Sequence, residues 1–198
     1  MKYLLTSVIA FIILIIILRI YRINSKNILK NLRKIKDAKI LKNYVINGKK
    51  IAYIMICEKG IFLVNVIKNH GDVFGSDYSK DYVISYHDKE KKIVSPTIYT
   101  RNYAISLYKV LHELDFNGCK VYQATIFPNA DVRYLKSSFV FKNIKTLIGY
   151  IKNLNFNLTK KDVLQISKSL DNSREKNAIV IENEFSGVPI FETNKAYK

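Results

Sequence analysis

Glycine and proline are scarce in this chain, seven and three in 198 residues, so long disordered stretches are excluded except at the ends. Cysteine is scarcer still. Cys57 and Cys119 stand at no metal-like spacing, and with three histidines they supply no evident zinc site; they read as free thiols of a reducing compartment. Acids are the minority charge, 16 Asp and Glu against 33 Lys and Arg, for a net charge of +17. A field of that sign attracts nucleic acid, anionic lipid or acidic proteins without choosing among them. Lysines also accumulate without a role in genomes of low GC content. No internal repeat is visible, and the length suits one domain of about 150 residues after a targeting segment.

Charge is absent between Tyr3 and Leu18, and Val8 to Leu18 is continuously apolar. With Ile20, Tyr21 and Ile23 the run reaches roughly the 20 residues a bilayer needs. It ends in Arg-Ile-Tyr-Arg-Ile rather than in the small residues of a cleavage site, which predicts an uncleaved transmembrane anchor over residues 1–23. Eleven basic residues lie between Arg19 and Lys50 against one acid, Asp37, while the other flank holds only Lys2 and the amino terminus. That asymmetry predicts a single-pass cell-membrane protein with its domain in the cytoplasm. Arg19, Arg22, Lys26, Lys30, Arg33 and Lys34 are the expected contacts to anionic headgroups, each worth about 1 kcal/mol near the surface.

Ile28, Leu32, Ile35 and Ala38 recur at helical spacing and predict a basic juxtamembrane helix over residues 24–42. A domain is expected over 43–155, and a C-terminal helix and tail over 156–198. After the turn pair Asn47-Gly48, the runs 51–57 and 61–67 flank a short Gly-containing turn and predict a hairpin of buried strands. Further strands are expected at 72–75, 82–86, 93–94, 120–127 and 139–141. Helices are expected from Pro96 to the Asn117-Gly118 stop, after Asn143, and after the Thr159/Asp162 capping box. Ala178 to Ile181 suggests one more strand.

Residues 60–71, GIFLVNVIKNHG, resemble the central motif of the nuclease-related domain (NERD) family, often Gly-Ile-Phe-Val-Ile-Glu-x-Lys-Asn followed shortly by Gly. Gly75 with Tyr82 resembles the family's Gly and a following Trp, Ser95-Pro96 its Asn-Pro before the long helix, and residues 124–131 its second hydrophobic strand and exit turn. The resemblance covers about 40–151, and an amino-terminal anchor is frequent in the family. It implies an α/β, restriction-endonuclease-like mixed sheet flanked by helices, here preceded by the transmembrane helix, in a membrane-anchored bacterial member.

The family's site implies an Asp and a Glu holding Mg²⁺, with a Lys two residues after the Glu, because residues i and i+2 of a strand share a face. In the ungapped match these positions are Ala52, Asn65 and Ile67. Matching Lys68-Asn69 to the family's Lys-Asn instead keeps the lysine but puts Val66 at the Glu position. Neither register recovers the carboxylate, so the motif reads as degenerate, with no metal ligand and no cofactor. Mg²⁺ would enter only if ligands had migrated, Glu58 and Asp72 being the nearest candidates. The family's Gly-Glu pair in the first helix is not evident either.

Lys68, Asn69 and His70 are candidate phosphate contacts, although a lone loop histidine is more often simply solvated. His87 and His112 have no partner pattern. Most tyrosines and phenylalanines sit where a core needs them, so base stacking is a minority reading. The leading expectation is a catalytically degenerate domain that binds nucleic acid or a protein partner at the membrane. An active Mg²⁺-dependent nuclease with relocated ligands and a membrane-surface scaffold with no nucleic-acid role are the alternatives.

Overall fold

The computed structural model describes residues 28–46 and 49–185. The predicted anchor, the lipid contacts Arg19, Arg22 and Lys26, and the turn pair Asn47-Gly48 lie outside the described residues. Among the described residues, no helix is long and apolar enough to cross a membrane.

The architecture is mixed α and β, with two mixed sheets flanked by helices. β1 (Lys39–Ile46), β2 (Lys49–Cys57) and β3 (Gly60–Val66) form an antiparallel meander. The chain then builds β4 (Gly71–Ser76), β5 (Asp81–Tyr86) and β6 (Lys89–Val94), followed by helix α1 (Pro96–Glu113). β7 (Val121–Ile126) returns beside β3 in parallel, and the short β10 (Val140–Phe141) adds in parallel to β7. The larger sheet thus runs β1-β2-β3-β7-β10. The smaller runs β6-β5-β4-β8, with β8 (Ala130–Asp131) and β9 (Leu135–Lys136) both parallel to β4. Helices α2 (Ile144–Asn153) and α3 (Lys160–Phe185) complete the fold.

Strand alternation sends the two faces of the larger sheet to separate cores. Ile54, Ile56, Ile61 and Leu63 pack with Leu107 and Leu111 of α1 and with Val163, Ile166 and Leu170 of α3. Met55, Phe62, Val64, Ala124 and Ile126 pack with Leu147 and Ile151 of α2 and with Ile28 and Leu32. A third core, of Val73, Tyr82, Ile84, Phe127 and Ala130, lies against the smaller sheet. Tyr44 fastens α3 to β1, its hydroxyl donating to the Leu170 carbonyl at 3.1 Å. Both predicted caps form: Asn143 accepts from the Thr146 amide at 3.0 Å, and Asp162 accepts from the Thr159 amide at 2.8 Å.

Three expectations are corrected. Within the described part of 24–42, only 28–32 is helical, and Lys39 already begins a strand. Asp37 sits at φ 58, ending the helical path, and β1 then buries Leu41, Tyr44 and Ile46 by pairing with β2. Ile35 and Ala38 keep their inward side, packing on the second core from turns rather than from a helix. The stretch Ala178 to Ile181 is helical, since nothing between Lys160 and Phe185 is Gly or Pro and a short apolar run cannot by itself distinguish strand from helix. The single flanked sheet is instead two sheets, because β7 occupies the edge of β3 that β4 would have needed.

Gly71 opens β4 at φ 112, and a Cβ there would collide with the Ser85 carbonyl of the neighbouring strand. Gly118 also has a positive φ, 82, but open space around it. Gly71→Ala is therefore expected to destabilise by about 2 kcal/mol or more and Gly118→Ala by on the order of 1 kcal/mol. Urea unfolding of the two variants checks the order; equal losses would remove the steric argument.

Candidate functional site

The ungapped register leads to one place in the fold. Tyr53↔Val64 is the last pair of the β2–β3 ladder, so Ala52 and Asn65 are the next residue on each strand. The β1–β2 ladder is interrupted beside Ala52, between Lys42↔Tyr53 and Tyr44↔Ile51, where Asn43 adopts φ 50. Asn tolerates that conformation better than most residues. On the other side of β3, Asn65 pairs with Thr125.

Asn65 is 8% exposed, and its side-chain amide donates to Thr100 Oγ1 at 2.8 Å. Thr100 in turn donates to the Pro96 carbonyl at 2.6 Å. Nearby in α1, Thr97 shares a 2.8 Å hydrogen bond with the Tyr82 hydroxyl. The buried polar side chains of the described residues are Asn65, Ser95, Thr97, Thr100 and Thr125, and all belong to β3, β7 or the start of α1. Ser95 caps α1 but makes no side-chain capping bond, and its hydroxyl has no protein partner. The surroundings are desolvated enough that burial, with lesser repulsion from Tyr103 and Tyr82, pushes the Tyr99 phenol up to about 12.

Ile67, at the lysine position, packs against the third core and donates its amide to the Ile126 carbonyl at 2.9 Å. Val66, the Glu position of the other register, packs on the opposite face of β3, against the α2 core. Lys68 and His70 are exposed in the loop from β3 to β4, with Asn69 half-buried between them. The His70 ring lies 6.4 Å from that of Tyr86, which in turn contacts His87 at 4.2 Å. His112 is exposed near the end of α1.

Neither candidate for a migrated ligand approaches Asn65. Glu58 lies in the β2–β3 turn at the far end of the strand, about 20 Å from Ala52 at the usual rise per residue. Asp72 alternates with the buried Val73, so it faces away from the core that Ile67 joins, and it pairs with Asp131. Asp131 is committed to Arg133 at 2.6 Å. Hydrogen bonds from the Arg133 backbone and guanidinium hold its carboxyl below the ordinary range. No group of three His, Cys, Asp or Glu among the described residues could hold a metal. Mg²⁺ needs hard oxygen ligands, and Ala52, Asn65 and Ile67 do not fit it.

Sequence reasoning overlooked two features. Thr100 is the partner that neutralises Asn65, and its only signal is that a helix facing a sheet places a hydroxyl among apolar neighbours. The other is an exposed aromatic stack, Phe74 on Tyr134 at 5.0 Å between ring centres, with the Arg133 guanidinium 5.7 Å from the Tyr134 ring. The two rings are 39% and 51% exposed. They come from segments 60 residues apart in the sequence.

The class is a mixed α and β domain of two mixed sheets flanked by helices, with the resembling motif on β3. Residues 22–128 match the nuclease-related domain (NERD) family, slightly more than half of the chain, and the chain belongs to that family. No curated protein and no solved structure matches. The match reaches further toward the amino terminus than the motif resemblance and stops before 129–151.

Thr100→Val should cost about 1–3 kcal/mol, because it leaves the Asn65 amide buried without its acceptor. In the double variant with Asn65→Val the two costs should be clearly less than additive. Additive losses in a denaturation cycle would mean that the 2.8 Å bond carries no coupling.

Proposed function

We propose that this chain is a membrane-anchored nuclease-related domain, restriction-endonuclease-like in architecture, that has lost phosphodiester hydrolysis and binds nucleic acid at the cytoplasmic membrane face. The observation that carries the first half is Asn65, which stands at the motif's carboxylate position and is locked by its amide to Thr100. A neutral amide flanked by Ala52 and Ile67 offers neither anionic ligands nor a base to activate water. The membrane half is supported by the uncharged run from Tyr3 to Leu18 and the eleven cations between Arg19 and Lys50.

Binding is supported by what surrounds the smaller sheet. Phe74 and Tyr134 present a stacked pair beside Arg133, and the exposed β6 carries Lys89, Lys91 and Lys92. Stacking surfaces next to cations hold single strands without reading their bases. The loop 68–70 leads directly into β4, with Lys68, Asn69 and His70 as further contacts to phosphate.

The full chain is expected to leave supercoiled and single-stranded DNA and RNA intact with Mg²⁺ or Mn²⁺. Asn65→Glu alone should remain inactive, because Ala52 and Ile67 still contribute no ligand. The informative restoration is Ala52→Asp, Asn65→Glu and Ile67→Lys together. Metal-dependent cleavage by the unmodified chain that vanishes on Asp72→Ala would replace this reading with a relocated nuclease site.

Single-strand affinity should fall steeply with salt and drop about tenfold in Phe74→Ala or Tyr134→Ala. Salt-independent behaviour would leave only a scaffold. A reporter fused after Lys198 should be cytoplasmic, and alkaline phosphatase activity from that fusion would reverse the topology.

A further inference from the structure

The end of β3 remote from Asn65 holds a pocket of about 310 Å³, roughly 17 Å away along the strand. Its buried surfaces are apolar: Cys57 and Ile151 are each 1% exposed. Ile35 and the exposed Phe156 ring also line it. Burial pushes the Cys57 thiol up, so at neutral pH it is an uncharged apolar surface rather than a nucleophile.

The charge around these walls is one-sided. Lys34, Lys36, Lys59 and Lys152 line the pocket against a single acid, Glu58. The site is also built in advance. The amides of Asn157 and Leu158 donate to the Glu58 carbonyl at 2.8 and 3.0 Å, tying the segment after α2 to the β2–β3 turn. Lys59 donates to the Leu154 carbonyl and lies 3.7 Å over the Phe156 ring, which leaves it a further proton to offer an anion.

The walls are apolar, while the lysines around them call for a phosphate. An amphiphile with an anionic head satisfies both. Lys34 follows Ile23 by eleven residues, so a fully extended chain places the pocket within about 40 Å of the end of the anchor. We propose that the pocket takes the phosphate headgroup and the adjoining acyl carbons of one anionic phospholipid drawn from the bilayer surface. This rests on the reading of residues 1–23 as an anchor, and it adds a defined lipid site to diffuse attraction by the basic segment.

The chain contains no tryptophan, so Phe156→Trp reports on this pocket alone. The full-length variant is placed in nonionic micelles doped with dibrominated phosphatidylglycerol or, at equal mole fraction, dibrominated phosphatidylcholine. Quenching by the anionic lipid is expected to exceed that by the neutral lipid about threefold, and Lys36→Gln with Lys152→Gln should bring the two to parity with unchanged circular dichroism. Equal quenching by both lipids overturns the proposal, as does an anionic preference that survives the double substitution. Relief of the quenching by glycerol 3-phosphate also overturns it, assigning the site to free phosphate esters. Alkaline carbonate extraction of membranes tests the anchor separately, since release of the chain would refute anchoring while the micelle result still judges the pocket.

Discussion

The parallel pairing of β3 with β7 is the constraint on which the other features depend. It is a long-range contact, joining residues 60 apart in the sequence, and it needs the whole passage through β4, β5, β6 and α1 before it can form. Once formed it fills both edges of β3, since β2 already holds the other. The strands between must then make a sheet of their own, and α1 must cross the face of the larger one. The same pairing brings Asn65 beside Thr125 and puts the start of α1 over both. The fold and the residual site therefore come from one ladder.

That site is polar where the surrounding core is not. An ionised carboxylate at position 65 would need a cation to offset its desolvation, and Ile67 offers none. Asparagine needs no cation and finds a partner in Thr100, an internal hydrogen bond of modest net worth. Gln123 Oε1 and Ser95 Oγ are both buried without a protein partner. Gln123 neighbours Thr125 on β7, and Ser95 caps α1, so these atoms belong to the same polar region.

Much of the fold was legible because its elements carry local signals. The hairpin of β2 and β3, the helix from Pro96 and both capped helices follow from apolar periodicity and capping residues that act within a few positions. What was illegible depends on contacts across long separations. Lys39 to Lys42 reads as the tail of a helix until β2 is present to pair with it, and Ala178 to Ile181 reads as a strand until the unbroken helix before it is known. The division into two sheets is decided by which strand holds the free edge of β3, and that strand is β7. The pleat separates the two residues that the two registers put at the Glu position: Asn65 faces α1, while Val66 turns to the α2 core. Phe74 and Tyr134 could not be paired from sequence, since the parallel contacts of β4 with β8 and β9 bring them together.

The uncharged residues Ala52, Asn65 and Ile67 also bear on the energetics of the domain. Two carboxylates held close at a strand end repel each other and are poorly solvated, so a working site of this kind stores destabilisation that the rest of the fold must outweigh. Ala52, Asn65 and Ile67 carry no such repulsion, and Ile67 adds apolar contact to the third core. The structure can therefore keep its architecture with no metal to gather ligands at the junction of the sheets. What it retains is a basic exterior with separated features: an aromatic pair by Arg133 on the smaller sheet and a lysine-lined pocket at the other end of β3. The pocket lies at the opposite end of β3 from Asn65.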